Sequence, residues 1–107
     1  MSKLFHANDF NFEEEVVNSE LPVLVDFGAE WCGPCKRQLP ILENFAESNS
    51  DRVKVVSLDI DASPIIAGKF GVRSVPTLMI FKGGQKIQSK VGLQSQAALE
   101  KFVIESL

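Results

Sequence analysis

Two apolar runs without alternation stand out in the hydrophobic pattern of this chain, at residues 21–27 and 53–58. Strands that are apolar on both faces lie in the middle of a sheet that helices cover on either side. The segment between the two runs has apolar residues at helical spacing. The pattern therefore predicts a strand–helix–strand unit of an α/β fold, with parallel strands and a right-handed crossover.

The helix of this unit begins directly after a pair of cysteines. Pro34 suits the first helical turn, because its missing N–H costs nothing there. The apolar positions then follow one helical face at Cys35, Leu39, Leu42, Phe45 and Ala46. We therefore predict that Cys35 is buried and that Cys32, which precedes the helix, is exposed. Pro40 removes one backbone hydrogen bond and is expected to bend the helix.

The rest of the chain predicts three further strands and three further helices. An edge strand at residues 3–7 and a short amphipathic helix ending near Asn18 precede the first apolar run. A short helix from Pro64 to Gly71 follows the second run. Strands at 77–81 and 86–91 form an antiparallel hairpin around Gly83-Gly84. The last helix starts at Ser95 and turns one apolar face to the core, made of Leu99, Phe102, Val103 and Leu107.

Composition limits the classes of function. A chain of 107 residues, 45% of them hydrophobic, is expected to form one domain over residues 1–107. With a formal net charge of -3, the chain is not expected to have the basic surface that nucleic-acid binding requires. No apolar run approaches the roughly 20 residues of a membrane span, and the N-terminal residues lack the apolar core of an export signal. We expect a soluble cytoplasmic protein that binds neither nucleic acid nor membrane.

The chemistry is concentrated at the end of the first apolar run, in the motif Trp31-Cys32-Gly33-Pro34-Cys35, which holds the only two cysteines. A helix N-terminus stabilises a thiolate, and Cys-x-x-Cys spacing lets a disulfide close and reopen with little movement. Cytosolic cysteine pairs are more often catalytic or metal-binding than structural. Zinc needs about four ligands, and beyond the cysteines the chain offers one distant histidine, His6. We therefore predict a redox site and no metal.

Asp26 interrupts the first apolar run. Alternation along the strand places it on the face of Leu24, opposite Val23 and Val25, towards the helix that carries Cys35. A carboxyl group removed from water has a raised pKa and could act as a general acid or base near neutral pH. The alternative is that Asp26 points to solvent at the end of its strand.

These motifs resemble the thioredoxin family along the whole chain. The matching segments are Val25-Asp26-Phe27, Ala29 to Lys36, Pro40-Ile41-Leu42, Val75-Pro76-Thr77-Leu78, Phe81-Lys82 and Lys90-Val91-Gly92. The resemblance implies a thioredoxin fold, with a central mixed five-stranded sheet in the order 1-3-2-4-5 and four flanking helices. It also implies a protein-disulfide reductase without a bound cofactor. We expect a monomer.

The resemblance implies a role for each group of the site. Cys32 attacks a substrate disulfide, and Cys35 resolves the mixed disulfide and leaves a Cys32–Cys35 disulfide. Asp26 accepts the proton of Cys35. Val75-Pro76 is a cis peptide facing the dithiol, and the Val75 backbone pairs with the substrate chain. An apolar docking patch is formed by Trp31, Gly33, Pro34, Gly92 and Leu93. The expected partners are disulfide-containing proteins and a flavin-dependent thioredoxin reductase.

Two residues depart from the family pattern. Gly28 stands where many thioredoxins have a tryptophan, so we expect a missing aromatic wall and a looser strand end. Ser57 stands where many bacterial members have a lysine, so we expect desolvation to dominate the pKa of Asp26. Two other functions stay open: a redox-inert binding module, and an oxidant or isomerase that uses the same dithiol. The Gly-Pro pair between the cysteines resembles reductants.

Overall fold

One mixed sheet forms the centre of the computed structural model, which describes residues 3–107. Its strands are β1 (Leu4–Ala7), β2 (Val23–Gly28), β3 (Lys54–Asp59), β4 (Thr77–Lys82) and β5 (Gln85–Val91). The spatial order is β1-β3-β2-β4-β5, with β1, β3 and β2 parallel and with β4 antiparallel to both β2 and β5. The predicted order and mixed character of the sheet are confirmed. Met1 and Ser2, which begin the segment predicted not to be an export signal, lie outside the described residues.

Helices cover both faces of this sheet. They are a short π-helix (Glu13–Val17), α1 (Gly33–Asn49), α2 (Pro64–Lys69) and α3 (Gln96–Ser106). The core on one face contains Val16 of the π-helix and Ile66 of α2, and the core on the other contains Phe45 of α1 and Leu99 of α3. Among residues 3–107, no helix combines the length and the apolar character that crossing a membrane requires.

Strand β2 contributes to both cores. Val23, Val25 and Phe27 pack on the face of the π-helix and α2, whereas Leu24 packs against α1 and α3. Burial of one such side chain stabilises the fold by about 1.5–3 kcal/mol. The predicted distribution of the β2 side chains over the two faces of the sheet is confirmed. Asp26 is the polar residue of β2 on the face that α1 covers.

The buried stripe of α1 differs from the prediction at one position. Gln38 is completely buried, at 0% exposure, whereas Leu39 is only half-buried. Gln38 follows Cys35 by three residues and precedes Leu42 by four, which places it in the middle of the helix face towards the sheet. The helix continues without interruption through Pro40. The prediction that Leu39 lies on the buried face of α1 is therefore wrong, and Gln38 lies there instead.

Two of the element ends that differ from the prediction leave an apolar residue exposed. Strand β2 begins at Val23 instead of residue 21, and Leu21 is 37% exposed. Pro22 has no N–H for the ladder, and its carbonyl oxygen accepts a hydrogen bond from Lys54 N (2.9 Å) just before the strand starts. Leu107 follows α3 and is 45% exposed, so the apolar face of the last helix ends earlier than its sequence indicates.

Candidate active site

The two cysteines lie at the start of α1, where the chain leaves the end of β2. They are joined by a disulfide, with their Cα atoms 5.2 Å apart. Cys32 is the N-cap of α1, and its Sγ accepts a hydrogen bond from the backbone N–H of Cys35 (3.2 Å). The N-terminal N–H groups and the helix dipole favour negative charge at this position. In the reduced protein they therefore favour a thiolate on Cys32.

The prediction that Cys35 is buried is confirmed, whereas the prediction that Cys32 is exposed is wrong for this disulfide-bonded form. Cys32 is 5% exposed and Cys35 is 4% exposed. Cys32 packs in a small cluster with Ala29, and its Sγ lies 3.7 Å from the carbonyl oxygen of Val75. The sulfurs differ instead in what surrounds them, because Cys35 lies against Gly28 on the inner side of the corner.

Asp26 is buried beneath the corner, at 2% exposure, which excludes the alternative that it points to solvent. Its Oδ1 has no hydrogen-bond partner among the described residues. Desolvation by burial raises the pKa of Asp26 from 3.8 to about 7. A Cβ atom on Gly28 would lie 3.5 Å from Cys35 Sγ and 3.9 Å from Asp26 Oδ2. The backbone of Gly28 therefore brings the carboxyl group and the inner sulfur into one small region.

A crevice of about 300 Å³ reaches this region from the surface. Its lining includes His6, Asp26, Gly28, Cys35, Ser57 and Asp59. Ser57 pairs with Asp26 on one side and with His6 on the other, and paired residues of parallel strands share a face. The short side chain of Ser57 and the missing side chain of Gly28 leave this space open. The crevice lies where the prediction places a missing aromatic wall, and His6, which lines it, is exposed.

The segment opposite the dithiol has the backbone form that the resemblance implied. The Val75-Pro76 peptide bond is cis. Val75 is half-buried and Pro76 is buried behind it. Gly92 N donates a hydrogen bond to Pro76 O (2.8 Å), and Gly92 has a φ of +100°, which glycine adopts at little cost. The loop of Gly92 is therefore held against the cis-proline segment.

The predicted docking residues lie around the dithiol with different exposures. Trp31 is 70% exposed and Leu93 is 40% exposed, and Gly33 and Pro34 are also exposed at the start of α1. Trp31 Nε1 donates a hydrogen bond to Asp61 Oδ2 (2.8 Å), which orients the indole ring although it remains open to solvent.

Sequence reasoning missed three residues near the site. Asp61 follows strand β3, and no local pattern indicates that it pairs with Trp31, thirty residues away in the chain. Gln38 and Gln94 were not singled out, although the helical spacing of Gln38 from Cys35 could have placed it on the buried face. Within residues 3–107, no three or more His, Cys, Asp or Glu side chains converge as a metal site would require.

Comparison with known proteins extends over nearly the whole chain. The model of the family described as Thioredoxin matches residues 3–105. The chain is 43% identical to Thioredoxin of Rickettsia typhi, over 95% of this chain and 97% of that protein. It is 44% identical to Thioredoxin 1 of Nostoc, over 100% of both chains. It is 46% identical to Thioredoxin of Synechocystis, over 96% of this chain and 100% of the relative.

The raised pKa of Asp26 predicts a pH-dependent stability. Between about pH 4 and 7 the folded protein holds a proton on Asp26 that the unfolded chain has lost, so the free energy of unfolding falls as pH rises. At about 1.4 kcal/mol per pKa unit, a rise from 3.8 to about 7 makes this loss about 4 kcal/mol. Asp26→Asn has no carboxyl group at this position, so its free energy of unfolding does not undergo this decrease. The difference in the free energy of unfolding between Asp26→Asn and the wild type is therefore expected to shift in favour of the variant by about that amount from pH 4 to pH 8.

Urea unfolding of the disulfide-bonded form at several pH values measures this difference. Asp51→Asn, at an exposed position, is the matched control and should follow the wild type. A constant difference between Asp26→Asn and the wild type across this range would contradict the raised pKa.

The crevice also predicts the effect of restoring a positive charge near Asp26. A lysine at position 57 would start one strand away, on the face of Asp26, and its amino group would favour the ionised carboxylate. Ser57→Lys is therefore expected to lower the pKa of Asp26 from about 7. NMR titration of the carboxyl carbon measures it, with Ser89→Lys on exposed β5 as the control. An unchanged or higher pKa of Asp26 in Ser57→Lys would contradict the hypothesis that a positive charge at position 57 stabilises the carboxylate.

Proposed function

Because the chain belongs to the thioredoxin family and is a thiol–disulfide oxidoreductase, we propose that it reduces disulfides of other proteins by dithiol–disulfide exchange. The observation that carries this proposal is the disulfide at the N-terminus of α1, whose two sulfurs have different surroundings. Cys32 Sγ lies beside Val75 at the docking side, and Cys35 Sγ lies beside Gly28 and the region of Asp26.

Cys32 performs the first step. Its thiolate attacks one sulfur of the substrate disulfide, the substrate S–S bond breaks, and a mixed disulfide forms between Cys32 and the substrate. The second substrate sulfur leaves as a thiolate and takes a proton from water. The Cys35 N–H that points at Cys32 Sγ supports this role, because it stabilises the attacking thiolate through a charge-assisted hydrogen bond.

Cys35 performs the second step. It transfers its proton to the Asp26 carboxylate, directly or through water in the crevice, and its thiolate attacks the Cys32 sulfur. The mixed disulfide breaks, the remaining substrate sulfur leaves as a thiolate and takes a proton from water, and Cys32–Cys35 is the oxidised product. The substrate has then gained two electrons and two protons. A pKa of about 7 suits Asp26 to this exchange, since a general base works best when its pKa lies near the operating pH.

Substrate chains dock beside the dithiol in this proposal. An extended segment pairs with the backbone of Val75, in the way that peptides add to exposed strands. Pro76 supports that backbone from behind. Apolar contacts come from the docking patch of Trp31, Gly33, Pro34, Gly92 and Leu93, whose exposed members need no rearrangement to meet a partner.

Turnover requires a partner that reduces Cys32–Cys35 again, for which we propose a flavin-dependent thioredoxin reductase. A reductant of this kind works where the surrounding thiol pools are reduced, which supports a cytoplasmic location. We propose that the chain acts as a monomer of one domain, without a bound cofactor, because the exchange uses only groups that the chain supplies.

Trapping the mixed disulfide tests the roles of the two cysteines. Cys35→Ser keeps the attacking sulfur but lacks the resolving one, so it is expected to remain linked to a disulfide-containing protein such as insulin. Cys32→Ser is the matched control and should form at least tenfold less of the adduct, on the order of the reactivity gap that thiolate stabilisation creates. Non-reducing electrophoresis and mass spectrometry identify the linkage. Equal trapping by the two variants would contradict the assigned roles.

The direction of electron transfer distinguishes a reductant from an oxidant or isomerase. We expect the dithiol to be largely oxidised at equilibrium with a glutathione buffer poised at about −200 mV, because a reducing dithiol donates its electrons to such a buffer. Alkylation of free thiols followed by mass spectrometry measures the oxidised fraction and so the reduction potential. A dithiol that stays reduced in strongly oxidising glutathione buffers would support the oxidant or isomerase instead.

A further inference from the structure

A buried glutamine connects the helix of the dithiol to the loop of Leu93. Gln38 Nε2 donates a hydrogen bond to Gln94 O (3.0 Å), and Gln38 Oε1 accepts one from Gln94 N (2.8 Å). Both polar groups of the side chain therefore pair with both backbone groups of one loop residue. Gln38 is 0% exposed and Gln94 is 9% exposed, so water does not compete for these bonds.

Packing alone does not explain why a glutamine occupies position 38. It lies in the middle of the buried stripe of α1, between Cys35 and Leu42, where an apolar side chain would fill space without the cost of burying an amide. What the amide adds is a partner for the N–H and C=O of Gln94, which the loop would otherwise bury unpaired. Gln38 thus satisfies loop backbone in the way that a neighbouring strand would.

The hydrogen bonds continue from Gln94 to the rest of the docking surface. Gln94 Nε2 donates to Gly92 O (3.0 Å), and Gly92 N donates to Pro76 O (2.8 Å). Val75 O in turn lies 3.7 Å from Cys32 Sγ. A closed series of contacts therefore runs from α1 through the loop of residues 92–94 and the cis-proline segment back to the dithiol. Leu93, at 40% exposure, is the side chain that this series holds out to solvent.

We propose that Gln38 and Gln94 are positioning residues that hold Gly92 and Leu93 in the form that docks protein disulfides. They touch neither the sulfurs nor the substrate and act through the loop. A loop that is already ordered does not lose further conformational freedom when a partner binds, and affinity gains accordingly. This inference rests on the proposed function, and it adds that the Gln38–Gln94 pair sets the preference for protein disulfides over small ones.

Methionine substitutions separate positioning from chemistry. Gln38→Met keeps the length of the side chain and removes both bonds to Gln94, and Gln94→Met removes only the bond to Gly92 O. Gln85→Met, at an exposed position of β5, is the matched control. Each variant is assayed for reduction of insulin, a protein disulfide, and of hydroxyethyl disulfide, which is too small to reach Leu93 and the dithiol together.

The expected result is a change in KM for the protein substrate alone. For Gln38→Met we expect KM for insulin to rise about tenfold, equivalent to about 1.4 kcal/mol, with kcat unchanged. For Gln94→Met we expect a rise of about threefold, since one hydrogen bond of the series is lost. The rate constant with hydroxyethyl disulfide should stay within about twofold of the wild type for all variants, as should the control with insulin.

Hydrogen exchange supplies a readout that does not depend on activity. In Gln38→Met the backbone amides of Gly92 and Gln94 are expected to exchange about tenfold faster, because the loop opens more often. The amides of β4 should be unaffected. If Gln38→Met does not fold, the KM of Gln94→Met for insulin decides.

The failures of the inference and of the proposed function are distinguishable. Equal losses with insulin and hydroxyethyl disulfide would assign Gln38 a merely structural role and overturn the inference, as would an unchanged KM for insulin in both variants. In either case the wild type still reduces insulin, so the proposed function stands. A wild type that reduces neither disulfide would overturn both.

Discussion

Strand β2 has hydrogen-bonded neighbours on both edges and helices on both faces, so its side chains are removed from water. That burial has opposite consequences for its apolar residues and for Asp26. Leu24 and Phe27 stabilise the fold, whereas Asp26 is placed where its ionised form is costly. The strand then ends at Gly28, from which the chain turns into the dithiol corner and α1. Packing and chemistry therefore depend on the same six-residue element.

The inner side of the corner shows how this chain accommodates a buried carboxyl group. Gly28 and Ser57 place little side chain around Asp26, and a crevice extends from it past Ser57 to the exposed edge strand. Desolvation is the cause that raises the pKa of Asp26, and Oδ1 has no partner among the described residues. A group in this condition exchanges its proton near neutral pH, which supports the proposed proton transfer from Cys35.

The outer side of the corner depends on hydrogen bonds between segments that are distant in the chain. Trp31 is oriented by Asp61, Gly92 is held by Pro76, and Gln38 binds the backbone of Gln94. Exposed apolar side chains such as Trp31 and Leu93 have few packing contacts of their own to fix them. Their positions follow from the polar groups behind them. Polar pairs therefore position the surface around the dithiol, a buried one at Gln38–Gln94 and an exposed one at Trp31–Asp61, although the exposed members of this surface are largely apolar.

The sequence by itself determined the strand order, the mixed sheet, the helices on both faces and the dithiol at the start of α1. The strand order follows from the resemblance along the whole chain, and the other features follow from local signals: uninterrupted apolar runs, helical spacing, Pro34 and the glycine turn at Gly83-Gly84. The burial of Asp26 was also predictable, because alternation along β2 is a local property. Tertiary structure alone decided the equal burial of Cys32 and Cys35, the pairing of Trp31 with Asp61, and the orientation of Gln38 in place of Leu39. Each of these depends on which groups meet across the fold, and hydrophobic periodicity does not carry that information, since a polar side chain can also be buried where other groups satisfy its hydrogen bonds.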